Sequence, residues 1–236
     1  MSLGAYLQCY KNPYATYKCL ESFRTHYPDA TVVLLSDNGY DYTEMAKQFH
    51  CIYIHEEQQI LLASKLEEDY ITKSCALLDR MKRVFPLIKE DYIMWLEDDV
   101  SVNGVIQDIF RYDLNGYCPN CFNDFWKIEE KYLLTGTYHW AGHGGSVYHK
   151  NNFLSYLKNK EVIHDILVNW KKYNLTTNIC HDFFWSLIIT LNGGTVGPYQ
   201  GHEDCFYKNN NIVVQHQYKV WYDVPMPDEL SHLVTT

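Results

Sequence analysis

Two hydrophobic rhythms alternate along the first half of the chain. Short runs rich in β-branched and aromatic residues, LGAYLQCY (3–10), ATVVLLSD (30–37), CIYIH (51–55) and YIMWL (92–96), read as strands. Between them, apolar residues recur at three- and four-residue spacing. Pro13 opens one helix through YATYKCLESFRTHY, and YTEMAKQF (42–49) forms a short second one. A third, 69–85, sets Ile71, Cys75, Leu78, Met81 and Phe85 at helical spacing before Pro86. Strand and helix in alternation predict βαβ units, hence an α/β fold with a largely parallel central sheet flanked by helices.

The second half is less regular. GGSVYH (144–149) reads as a strand, KEVIHDILVNWKKY (160–173) and HDFFWSLIITLNGG (181–194) as helices, and NIVVQHQYKVWY (211–222) as a further strand. Gly193 and Gly194 end the second of these helices. From Ser101 to Thr135 the pattern is weak, as expected of loops. No repeat, linker or low-complexity tract separates the halves, so one domain is expected over residues 1–236.

Charge narrows the partners. A net charge of −9 and a pI near 5.6 exclude a broad nucleic-acid surface, which needs a basic stripe to displace counterions. No apolar run is long enough for a membrane span, and no charged start leads into an apolar core. The eight cysteines are irregularly spaced, which fits reduced thiols and a cytoplasmic setting. Cys118 and Cys121 have metal-ligand spacing, but His139 and His143 stand farther along than zinc-finger spacing.

The chemistry concentrates where YIMWL runs into Glu97, Asp98 and Asp99. Three adjacent carboxylates repel and resist leaving water unless a cation compensates. At the carboxyl end of a strand in an open α/β sheet they face the crevice where such folds bind ligands. A hard dication held by one or two carboxylates completes its shell with substrate phosphates, so Mn²⁺ (or Mg²⁺) and a phosphate-bearing ligand are expected.

LEDDV after a βαβ half, LLSDNG at the second strand end and the glycine-rich WAGHGGSVYH follow one another in an order that resembles the metal-dependent, nucleotide-sugar glycosyltransferases of the GT-A fold with their DXD element. The resemblance runs roughly from Gly4 to Tyr222. It implies a donor-binding half over about 1–100 and an acceptor-binding half over about 101–236. Asp99 takes the metal role with Glu97 and a late histidine, His216. Asp37, with Gln8, Cys9 and Tyr10, flanks the nucleoside, while Glu97 and Asp98 contact the donor. Arg80 and Lys219 reach its phosphates. Trp140, His143, Gly144 and Gly145 form the acceptor side, Trp140 stacking on a sugar face. Asp182, at a helix start, is the expected base of an inverting transfer, with Glu203 and Asp204 ranked second. The resemblance thus implies a nucleotide-sugar donor, a UDP-sugar by expectation, and a carbohydrate or glycan acceptor. Two other readings stand beside it: a sugar-nucleotide pyrophosphorylase, whose glycine-rich basic loop is missing from CYKNPYAT, and a non-catalytic carbohydrate-binding module.

Overall fold

The computed structural model describes residues 2–60, 64–65, 69–117, 130–132, 140–173, 178–179 and 181–235, of which 64–65, 178–179 and 181–182 are described by their backbone alone. Cys118, Cys121 and His139 lie outside these residues.

In chain order the elements are β1 (Leu3–Cys9), α1 (Pro13–His26), β2 (Val32–Asp37), α2 (Thr43–Gln48), β3 (Ile52–Glu56), β4 (Ser64–Lys65), α3 (Tyr70–Val84), β5 (Tyr92–Leu96), β6 (Ser101–Val102) and β7 (Leu114–Asn115). They continue with β8 (Val147–His149), α4 (Lys150–Tyr156), α5 (Lys160–Lys172), β9 (Asn178–Ile179), α6 (His181–Leu191), β10 (Val196–Gly197), β11 (His202–Asp204) and β12 (Val214–His216).

Seven of the described strands form one sheet in the order β10-β7-β8-β5-β1-β2-β3. The neighbours β5, β1, β2 and β3 run parallel, and β8 alone is antiparallel to the strands beside it. The mixed, mainly parallel sheet is therefore as expected. Its centre is buried on both faces, which explains continuous apolar runs rather than alternation. Successive residues still part company. Tyr6, Val33, Leu35, Ile93 and Trp95 join a core with α3, α5 and α6. Ala5, Leu7, Val32, Leu34, Met94 and Leu96 join the opposite core with α1 and α2. A helix layer on each face leaves the carboxyl ends of β1, β2 and β5 as the open edge, and Asp37 and Glu97–Asp99 stand there.

A smaller sheet, β11-β12-β6, sits beside that edge. The expected long strand over 211–222 is shorter: β12 stops at His216, because Gln217 takes φ +58° and a 3-10 turn follows at Lys219–Trp221. No described helix is long and apolar enough to cross a membrane.

Candidate functional site

β5 delivers the three acids, and each meets its own donors. Trp95 Nε1 donates to Glu97 Oε1 at 3.1 Å. Asp98 accepts from Asn12 Nδ2 at 3.0 Å and from the Tyr222 hydroxyl. Lys219 Nζ lies 2.5 Å from Asp99 Oδ2. This division lets like charges stand in sequence. It is incomplete for Asp98: burial raises its carboxyl above the usual range, the Tyr222 and Asn12 donors pull it down, and the charges of Asp99 and Glu97 push it up again.

His216 arrives from far along the chain because β12 pairs antiparallel with β6, the strand just beyond the acids, in the register Gln215↔Ser101 and Val214↔Val102. Tyr218 N donates to the Asp99 carbonyl at 2.8 Å and fastens the two segments together. His216 Nε2 then stands 3.6 Å from Glu97 Oε2 and 3.7 Å from Asp99 Oδ1. One ligand atom from each of Glu97, Asp99 and His216 lies within 4.8 Å of the others. Asp99 Oδ1 is buried without a hydrogen-bond donor, an orphan that a bound cation would satisfy. Two carboxylate oxygens and one imidazole nitrogen are a donor set that suits Mn²⁺, so the residues present fit a dication.

On its other side His216 Nδ1 meets Asp204 Oδ1 at 2.7 Å, and the same oxygen is 3.4 Å from His143 Nε2. Burial disfavours a charged His216, but Asp204, Glu97 and Asp99 outweigh it and lift the group to about 10. Asp204 is raised by burial and lowered more strongly by His143 and His216, ending well below the ordinary carboxylate range. His202 behaves oppositely. Burial, then the nearby His143 and His216, hold it far below 6.5, and it is neutral: Nδ1 accepts from Tyr117 N at 3.0 Å while Nε2 donates to the Gly144 carbonyl at 3.0 Å.

Beside the acids opens a cleft of about 270 Å³. Gln8, Cys9, Tyr10, Asp37 and Asp98 line it together with Asn12, Gln59 and Tyr222, the last three not singled out from the sequence. Asp37 accepts from Gln8 Nε2 at 3.0 Å, Ile60 N at 2.8 Å and Arg80 Nη2 at 2.7 Å.

Three expectations land elsewhere. Arg80, only 1% exposed, braces Asp37 from within the core rather than reaching out to phosphates. Trp140, 2% exposed, packs against Phe183 at 5.6 Å and offers no face to a sugar. Gly144 and Gly145 bring their loop close to protein instead of ligand. A Cβ at Gly144 would stand 2.7 Å from His216 Cδ2, and one at Gly145, where φ is +87°, would stand 2.6 Å from His202 Nε2. His143, expected on the acceptor side, sits among these histidines. Asp182 falls in the first turn of α6, and its side chain lies outside the described residues.

By sequence, no family model and no curated relative matches the chain. By structure it is similar to galactosyltransferase LgtC in complex with donor and acceptor sugar analogues, at TM-score 0.58 and 11% identity, covering 97% of this chain and 99% of that one. An active-site mutant of LgtC is similar at TM-score 0.55 and 13% identity, covering 98% and 96%. The fold is GT-A. In GT-A terms, the cleft and the Glu97–Asp99–His216 group occupy the carboxyl ends of the parallel strands, where open α/β sheets take their ligands.

Proposed function

We propose that this protein is a metal-dependent glycosyltransferase that moves a sugar from a nucleoside-diphosphate sugar, a UDP-sugar in our reading, to a carbohydrate hydroxyl. The observation that carries it is the convergence of Glu97, Asp99 and His216 beside the Asp37–Asp98 cleft, on a GT-A scaffold. Likeness to a galactosyltransferase that holds donor and acceptor analogues supports a transferase over a pyrophosphorylase or a passive binding module.

Glu97, Asp99 and His216 would hold Mn²⁺ (or Mg²⁺). Bound there, the ion supplies Lewis-acid stabilisation of the negative charge that a departing diphosphate acquires. The chain's own groups do the rest. Gln8, Tyr10 and Asp37 line the nucleoside end of the cleft. Asp98, fixed by Asn12 and Tyr222, presents a carboxylate to hydroxyls of the donor. Lys219, half exposed on its turn beside Asp99, is a cation for the diphosphate. Asp182 is the proposed base, taking the proton of the acceptor hydroxyl as that oxygen attacks the anomeric carbon, so the product is inverted.

Nucleotide sugars incubated with the protein and Mn²⁺ should release free nucleoside diphosphate, and EDTA should stop the release. Asp99→Asn should lose it as well. Turnover that ignores both EDTA and this substitution would refute the metal reading. The anomeric proton coupling of the product reads the stereochemistry, and retention would remove Asp182 from the role of base.

A further inference from the structure

Behind the acid cluster and His216 lie two buried histidines, His143 and His202, that the reaction above does not use. The rings of His143 and His202 are 5.0 Å apart and nearly parallel, and those of His143 and His216 are 4.6 Å apart. His202 is fully paired, as described. His143 is 4% exposed, yet neither of its ring nitrogens has a hydrogen-bond partner. The carboxylate oxygen it approaches is Asp204 Oδ1, at 3.4 Å, the atom that also meets His216 Nδ1 at 2.7 Å. Asp204 therefore grips the edge of His216 opposite to the edge that faces Glu97 and Asp99.

The backbone makes this grip a fixed feature. β11 and β12 pair in parallel with Asp204 directly across from His216. The loop carrying His143 is tied to β5 by Gly145 N donating to the Trp95 carbonyl at 2.7 Å and Trp95 N donating to the Ser146 carbonyl at 2.8 Å. Tyr199 adds a hydrogen bond from its hydroxyl to the Gly145 carbonyl at 2.7 Å. A free imidazole carries its proton on either nitrogen, and a metal-ligating one needs the proton confined to the nitrogen that faces away from the metal.

We propose that Asp204 is the positioning residue of the dication centre: it holds the Nδ1–H of His216, which aims the Nε2 lone pair at the space between Glu97 and Asp99, and His143 backs Asp204 in that orientation. This inference rests on the metal reading given above and adds to it a residue that touches neither ion nor donor.

The test is Mn²⁺ titration of the donor-free protein, followed by calorimetry and by the Mn²⁺ electron paramagnetic resonance signal. The wild type should bind one equivalent. Asp204→Leu should weaken binding roughly 10- to 100-fold, the usual effect of losing such a partner. Asp204→Asn, which keeps an acceptor oxygen and nearly the same shape, should recover part of that loss, showing that the effect is not one of folding. Equal Mn²⁺ affinity in Asp204→Leu and the wild type would overturn the proposal while leaving the metal reading intact. So would a second equivalent of ion that disappears in His143→Ala, since Asp204 and His143 would then be ligands themselves. A wild type that binds no Mn²⁺ would sink the metal reading and this inference with it.

Discussion

Removing the charge of Arg80 should destabilise the protein although the residue touches no solvent. The Arg80–Asp37 pair is deeply buried, with side chains 1% and 6% exposed. In Arg80→Met the apolar stem persists, and Asp37 is left as a buried carboxylate with only the Gln8 and Ile60 donors. Breaking a buried pair from one side costs about 3–5 kcal/mol. Against this, Arg80 Nε and Nη1 are already buried without partners, and their removal relieves part of an existing penalty, each such group costing about 1–3 kcal/mol. The net expectation is a loss of about 2 kcal/mol. With a urea m-value of about 3 kcal/mol/M, that lowers the unfolding midpoint by roughly 0.7 M. Tryptophan fluorescence in urea measures it directly. Asp37→Asn added to Arg80→Met should restore part of the loss, because the remaining side chain is neutral. A midpoint for Arg80→Met within about 0.15 M of the wild type, at unchanged m, would refute the argument that this ion pair braces the floor of the cleft.

Other expectations are narrower. Tyr222→Phe deletes the hydroxyl that donates to Asp98 and should weaken UDP affinity several-fold in calorimetry, with little change in the thermal midpoint. Glu97→Gln should lower Mn²⁺ affinity at least tenfold, while Trp140→Phe should leave sugar-acceptor KM unchanged, because that ring lies in the core. Asp113 is raised by burial and lowered more by Asn152, Thr195 and Tyr156, so its folded pKa is depressed. Its contribution is then complete above the unfolded value near 3.9 and is lost as pH falls. Asp113→Asn should accordingly show a shallower decline of stability than the wild type between pH 5 and about pH 3 in urea titrations.

The parallel half of the sheet was legible because its information is local: β1, β2, β3 and β5 are apolar runs bounded by turn chemistry, and α1 and α3 carry helical spacing between them. The placement of the acids followed from the same fact, since a strand that stops at Leu96 delivers residue 97 to the sheet's edge. His216 was within reach of sequence reasoning only through the resemblance, because nothing near it announces that β12 pairs with β6. Asp204 shows the limit more sharply. Its neighbours in sequence suggest a loop, and its importance comes from the parallel register with His216, a long-range pairing that no window of residues encodes. Asn12 precedes Pro13 and reads as the start of a helix, so its bond to Asp98 stayed hidden. Trp140 beside glycine is the pattern of a sugar platform and equally of a tight turn packed on the core. Only burial separates the two.

Lys219 tests how the acid cluster tolerates itself without a metal. Its Nζ lies 2.5 Å from Asp99 Oδ2, whereas Asp99 Oδ1 faces His216 Nε2 at 3.7 Å and has no donor. One oxygen of a single carboxylate is thus committed to a half-exposed side chain on the turn after β12, and the other is left for an ion. The two cations share an anion, so they repel each other and compete for its charge. Lys219→Met should then bind Mn²⁺ roughly three- to tenfold more tightly in the absence of nucleotide, the order expected when about 1 kcal/mol of partly screened repulsion is removed. With UDP present the sign should reverse for the nucleotide, whose diphosphate loses a cation, and its affinity should fall. Titrating Mn²⁺ and then UDP into the variant separates the two effects. Weaker Mn²⁺ binding without nucleotide would mean that Lys219 organises Asp99 for the ion instead of guarding it, and the account of charge balance at the end of β5 would have to be reversed.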